Sequence, residues 1–166
     1  EGIHYFFRHE DGKHTLVLAD MDSSHEACPS GGDKLIYRTP GQGNIRVEHL
    51  RQWVVEYQVQ PGAYSLQDFD FTNPKTPVAA NSTVSRKHAN AEFEIFDYPG
   101  EYAKEDEGQA LAKARINEFQ SQYEVVSARG DVYGVVPGFT FHLDEHPVPE
   151  QCKDYLVLSA TYQFDL

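Results

Sequence analysis

The chain has 166 residues, 40% apolar and 13% aromatic, with ten Tyr and ten Phe. That is enough for one domain or two small lobes with a real core, and the aromatic bias favours strands. The net charge is −12, from 26 acidic and 14 basic residues, which repels a phosphate-rich partner. No run approaches the ~18 apolar residues of a membrane-spanning helix.

Ile3 to His9 and His14 to Asp20 alternate around Asp11-Gly12 and read as a β-hairpin. Residues 21 to 44 are rich in Ser, Gly, Pro and Asp and read as a long loop, with a short strand at Leu35-Ile36-Tyr37. Trp53, Val55, Tyr57 and Val59 alternate with Glu56, Gln58 and Gln60, the pattern of a half-buried antiparallel strand. Pro61-Gly62 turns the chain. Tyr64 and Leu66 then share one phase and Phe69 and Phe71 the other, so a bulge or a crossing between layers is expected near Gln67. Asn73 to Lys87 is polar and reads as a loop, and Phe93 and Ile95 resume the alternation.

Phe96-Asp97-Tyr98-Pro99-Gly100-Glu101-Tyr102 joins this β pattern to a helical run, Glu105 to Gln122. The Pro99-Gly100 pair fixes φ at one residue and frees it at the next. Leu111, Ala114 and Phe119 fall near one face of the helix. Four more strand segments follow. Tyr123–Val126 and Val132–Val136 flank a turn at Arg129-Gly130-Asp131, and Pro137-Gly138 leads into Phe139, Phe141 and Leu143. Leu156, Leu158, Ala160, Tyr162 and Phe164 alternate with polar or smaller residues to the end. Pro-Gly pairs at 40, 61, 99 and 137 sit at plausible turns.

The fold class is mainly β with one helix, built as small β-barrel or sandwich-like lobes. The segments expected are residues 1–45, a hairpin plus long loop; 46–98, a β lobe; and 99–166, a helix plus β-barrel lobe. The chain begins at Glu1 without Met or a secretory leader and ends inside an alternating run, so a piece of a longer protein is expected.

His142-Leu143-Asp144-Glu145-His146 matches the H-x-x-E-H pattern of some zinc peptidases. That chemistry needs both imidazoles on one helical face with Glu145 placed to activate water. Here the pattern starts within a strand, and Pro147 and Pro149 would stop a helix, so a strand end and polar turn is the better reading. Asp20-Met21-Asp22-Ser23-Ser24-His25 has hard-ligand character but lacks the acidic spacing of a calcium loop, and reads as a hydrogen-bonded turn. His4, His9 and His14 are spaced by five, which puts His4 and His9 on opposite strand faces. Cys28 and Cys152 do not make a disulfide framework, although a bridge between them is geometrically possible. No G-x-S-x-G elbow and no phosphate-cradling glycine loop appears. Strand Tyr and Phe read as core more readily than as a carbohydrate-stacking platform. No catalytic, cofactor-binding or metal residue is assigned, and the alternatives kept are a metal-dependent hydrolase at His142, Glu145 and His146 and a carbohydrate-binding β module.

Four runs carry a family resemblance: Glu1 to Asp20; Val59 to Pro74; Phe96 to Tyr102; and Pro137 to Leu143 with His146-Pro147 and Asp154 to Leu158. In order, and over nearly the whole chain, they resemble VgrG proteins, the valine–glycine repeat spike proteins of type VI secretion. The resemblance implies a piece of the spike base, similar to the tail hub of contractile phages. Three copies would form a ring of small β-barrels that adapts a hexameric inner tube to a three-sided needle, with baseplate components as further partners. It implies no catalytic residues and no cofactor. It also implies assembly in the bacterial cytoplasm and export by the secretion machine.

Overall fold

The computed structural model describes residues 2–39, 41, 47–72, 74 and 78–164. Pro40 of the first Pro-Gly pair and Asn73 of the second loop lie outside them. The strands are β1 (His4–Glu10), β2 (Lys13–Ala19), β3 (Lys34–Ile36), β4 (His49–Tyr57), β5 (Ala63–Asp68), β6 (Val78–Thr83) and β7 (Glu94–Asp97). After the single described helix, α1 (Glu105–Gln120), come β8 (Glu124–Asp131), β9 (Thr140–Asp144) and β10 (Asp154–Leu156). The mainly β class with one helix holds. The described strands form open sheets of two or three strands, β1-β2, β10-β9-β3, β4-β8 and β6-β5-β7, and not the closed barrels expected.

Contacts divide the chain into two compact units, one of Glu1–Gly2 and Val55–Val125, the other of Ile3–Val54 and Val126–Leu166. The chain passes from one to the other within β4 and within β8.

In the Val55–Val125 unit, β5 is the middle strand. It pairs antiparallel with β6 (Ala63↔Thr83 to Asp68↔Val78) and parallel with β7 (Ala63↔Glu94 to Leu66↔Asp97). Strand β6 was read from sequence as loop. Between Val78 and Thr83 it holds Ala79, Ala80, Asn81 and Ser82, small or polar residues, so the ladder with β5 holds it extended despite this middle stretch. The slip expected near Gln67 is instead the end of β5 at Asp68, after which Phe69 and Phe71 are exposed.

Helix α1 lies against β5 and β6. Gly108, Ala112, Ile116 and Gln120 are buried, spaced by four along one face. Leu111, Ala114 and Phe119, the face expected, are only half-buried. Small residues lead here because the neighbours come close: a Cβ at Gly108 would overlap the Tyr102 ring. Tyr102 is buried, and its hydroxyl donates to the carbonyls of Leu66 (3.1 Å) and Val78 (2.8 Å), tying β5 to the start of β6. At the Pro99-Gly100 junction the left-handed residue is Glu101 (φ 57°) and not the glycine. Gly100 matters for closeness, because its Cβ would strike the same Tyr102 ring.

In the other unit, β1 and β2 form the expected hairpin, in register from His4↔Ala19 to Glu10↔Lys13. Strand β9 takes β10 antiparallel on one side and β3 parallel on the other. The core gathers Phe6, Ala19, Cys28, Leu35, Leu50, Phe139, Phe141, Leu143 and Val157. Trp53 packs edge-on to Tyr155 at 4.9 Å, and both side chains donate to Oε1 of buried Gln151, at 3.0 and 2.9 Å. Gly138, at φ 85°, lets the chain turn beneath the Phe6 ring, which a Cβ there would overlap.

Two sequence expectations fail in this unit. Strand β8 runs straight through Arg129-Gly130-Asp131, so no turn lies there and Val132–Val136 is not a strand. Gly130 is a point of close approach: a Cβ would meet the backbone of His49 and Leu50. Among the described residues at the end of the chain, only Asp154–Leu156 is strand. Val157 is buried while Leu156 and Leu158 are exposed, the reverse of the expected phase. An alternating segment becomes a strand only beside a partner, and residues 158–164 have no ladder among the described residues.

Replacing Tyr102 by Phe removes the single O–H shared between the Leu66 and Val78 carbonyls while keeping the ring. Urea unfolding of Tyr102→Phe is expected to show a loss of about 1–3 kcal/mol with an unchanged denaturant slope.

Candidate assembly surface

The outer face of the β1–β2 hairpin is built by strand alternation. Phe6, Val17 and Ala19 turn inward to the core. Tyr5↔Leu18, Phe7↔Leu16 and His9↔His14 pair across the other face. Ile3, Tyr5, Phe7, Leu16 and Leu18 there are 59, 67, 41, 52 and 68% exposed. Phe7 meets His14 edge-on at 4.6 Å, and the His9 and His14 rings lie 4.3 Å apart. Between Tyr5↔Leu18 and His9↔His14 the paired side chains of this face include no acid and no permanently charged group, and Asp20 follows in phase beyond Leu18. With aromatic side chains covering about 150–250 Å² each, these five offer on the order of 500 Å². That reaches the upper end of the largest apolar patch on an ordinary monomer, yet falls short of the ~800 Å² per partner of a standard interface. The hairpin would therefore be one part of a larger contact.

Further apolar side chains are exposed elsewhere. In the helix-bearing unit they are Phe69, Phe71, Phe93, Phe96 and Tyr98. Pairing of Tyr64 with Ile95 and Ser65 with Phe96 turns Phe96 away from the face that packs on α1. In the hairpin-bearing unit, Leu158 and Phe164 are each 69% exposed on the unpaired terminal segment. Sequence reasoning assigned strand aromatics to the core and so missed these faces. The signal was present: Tyr5-Phe6-Phe7 and Leu16-Val17-Leu18 are apolar in both phases, the pattern of strands covered on two sides.

The zinc-peptidase pattern is not gathered. His142, in β9, directs Nδ1 to its cross-strand partner Asp154 at 2.6 Å. Glu145 sits in a left-handed turn, φ 57°, and pairs with Arg38. His146 stands over Tyr37 at 4.8 Å, its Nδ1 near the Val148 amide at 3.1 Å. The three groups face different neighbours because the strand ends at Asp144 and the left-handed Glu145 turns the chain before His146. Asp22–Ser24 forms a 3-10 turn. Among the described residues no three His, Cys, Asp or Glu are placed to share a metal ion. Cys28, buried, and Cys152 are both free.

The perturbed groups are scattered. Lys34, hydrogen-bonded at 2.7 Å, holds Asp144 below the usual carboxylate range, and Asp144 in turn raises Lys34. Burial pushes Cys28, Tyr64, Tyr102 and Tyr162 upward. Two depressions in the helix-bearing unit, about 410 and 400 Å³, are open to solvent. The first is lined by residues including Arg86, His88 and Glu92, and the second by Tyr64, Arg115 and Glu118. No helix among the described residues is long and apolar enough to cross a membrane.

Comparison with known proteins adds the family context. Residues 1–165 match the model of the phage tail baseplate hub (GPD) family. The chain is 41% identical over 163 residues to the type VI secretion system spike protein VgrG1c of Pseudomonas aeruginosa, covering 98% of this chain and 22% of that protein. It is 39% identical to VgrG1a of the same organism, covering 98% and 25%. The actin cross-linking toxin VgrG1 of Vibrio cholerae is 24% identical over 164 residues, covering 98% of this chain and 15% of that protein. The chain thus spans about a quarter or less of the length of these relatives.

Outer and inner faces of the hairpin should respond oppositely to truncation. Phe6→Ala is expected to cost about 3–5 kcal/mol of stability. Leu18→Ser should change stability by no more than about 0.5 kcal/mol while lowering the fluorescence of a bound apolar dye. Thermal unfolding and dye titration on the two variants check the contrast.

Acid should weaken the Lys34–Asp144 pair. A depressed carboxyl gives stability that is present above its unfolded value and lost as pH falls through its folded value. Asp144→Asn is expected to flatten the acid limb of the unfolding midpoint below about pH 4 by bringing the neutral midpoint down toward the acid one, a small change because the pair is largely exposed. A melting series across that range measures it.

Proposed function

The chain belongs to the phage tail baseplate hub family, and from that premise we propose that it is a structural part of the base of a type VI secretion spike. In the full-length protein three copies join as a homotrimeric hub between a hexameric inner tube and the needle, with baseplate components around it. Two findings support the reading: near-complete coverage of this chain by spike proteins about 40% identical to it, and apolar sheet faces left uncovered. The uncovered hairpin face is the observation that carries it, since a chain of net charge −12 has most to gain from contact where its paired side chains, Tyr5↔Leu18 to His9↔His14, include no acid.

The mechanism is mechanical. Force from the tube passes through packed subunits to the tip, so the contacts are extensive and apolar, as in obligate oligomers. No catalytic step, cofactor, nucleic acid or membrane span enters. The protein is assembled in the bacterial cytoplasm and leaves the cell with the machine it belongs to. The three sequence segments, 1–45, 46–98 and 99–166, are parts of one hub fragment.

Light scattering on the full-length protein tests this. A trimer mass is expected at tens of micromolar, falling toward the monomer in a Tyr5→Asp, Leu18→Asp double variant. A strictly monomeric parent protein rejects the proposal.

A further inference from the structure

His4, at the start of β1, and His25, just after the 3-10 turn, meet with Nε2 atoms 2.8 Å apart. Their ring centroids are 5.0 Å apart and the planes differ by 18°. That separation is close to the contact plus two ring radii, so the rings meet nearly edge to edge. A metal ion held about 2.0–2.1 Å from each nitrogen in tetrahedral geometry would need them more than 3 Å apart. The spacing suits a shared proton. His25 Nδ1 lies 2.7 Å from the Gly138 carbonyl, and Phe6 packs against the His25 ring at 5.1 Å.

The proton positions follow. A carbonyl only accepts, so His25 carries hydrogen on Nδ1. Neutral His25 then has a bare Nε2, which accepts from Nε2–H of His4. One extra proton fits on Nδ1 of His4, which is exposed, and turns the contact into a charge-assisted bond. A second must go to His25 Nε2, where it faces another N–H. Two donors and two cations then oppose each other.

We propose that His4 and His25 form a proton-counting latch. It holds the hairpin to the Gly138 turn with no extra proton or with one, and releases it with two. The charged groups of the elements meeting there are Arg8 and Glu10 on β1, Lys13 on β2, and Asp20, Asp22 and Glu26 on the following segment. Arg8 is committed to Glu26 at 2.8 Å and Lys13 lies 3.8 Å from Glu10. The residues around Gly138, from Pro137 to Phe139, bring no charge. The segment beyond His25 is itself tied to β9, with Thr140 N–H donating to Glu26 (2.9 Å) and Cys28 N–H to Thr140 (2.8 Å). Those two amides report the release. The latch is independent of the hub role.

The test uses the isotopically labelled 166-residue chain at about pH 7.5 and about pH 5, either side of the ordinary imidazole midpoint near 6.5. Nitrogen NMR should show His25 as the Nδ1–H tautomer at the higher pH. Hydrogen-exchange protection of Cys28 and Thr140 should drop about tenfold at the lower pH, the loss of roughly one hydrogen bond's net contribution. His25→Asn can still donate to Gly138 but can neither reach His4 nor become charged, so its protection should be the same at both pH values and lower than the parent's at pH 7.5. His4→Gln, whose amide can turn to accept from charged His25, should keep its protection at both pH values if the first variant fails to fold. An Nε2–H tautomer for His25 at pH 7.5, or an undiminished acid effect in a folded variant, overturns the proposal.

Discussion

Ten Tyr, ten Phe and one Trp must be shared between two small cores. Among the described residues one core buries nine residues and the other six, and of the Phe and Tyr only Phe6, Tyr64, Tyr102, Phe139 and Phe141 are buried. Small units have too little interior for their surface. Tyr37, Trp53, Tyr155 and Phe119 pack against a core only in part, and many of the other rings stay exposed with nothing within the unit to cover them. The uncovered hairpin, the outward Phe96 and the unpaired terminal segment share this cause. A spike base made by repeated copies would convert that excess into subunit contacts.

Polar groups decide how each core closes. Tyr102 hydroxyl and Gln151 amide each collect two partners in a buried setting, where an unmet polar group is costly. Glycines then set how near the backbone can come: Gly108 against Tyr102, Gly138 beneath Phe6, Gly130 beside His49. These contacts are exact in position because neither a larger nor a differently shaped side chain fits, as in any close-packed interior. The acidic surface stands apart from all this. Its ion pairs, such as Arg51 with Asp131 at 3.2 Å, are exposed and add little to stability.

The zinc-peptidase reading fails for a geometric reason. His142, Glu145 and His146 are close in sequence, but a strand followed by a left-handed residue spreads them among Asp154, Arg38 and Tyr37. The pairs that do form, His4 with His25 and Lys34 with Asp144, unite residues separated along the chain.

Sequence alone determined the mainly β class, the hairpin around Asp11-Gly12, the helix from Glu105 to within two residues of its end, and the β9 core of Phe139, Phe141 and Leu143. Each is written in local terms, as turn chemistry or hydrophobic period, and needs no distant partner to be legible. The runs quoted for the family resemblance were legible in the same way. Tertiary structure decided the rest. Strand β6 exists because β5 offers a ladder to residues that would not choose one. The helix buries Gly108, Ala112 and Ile116 because Tyr102 leaves room only for small side chains on part of that face. Residues 158–164 are not a strand because a strand needs a neighbour, and whether a neighbour exists is not a property of the segment. The uncovered outer face of the hairpin belongs to the same class: periodicity shows that both faces are apolar, but only packing shows which one the fold leaves open.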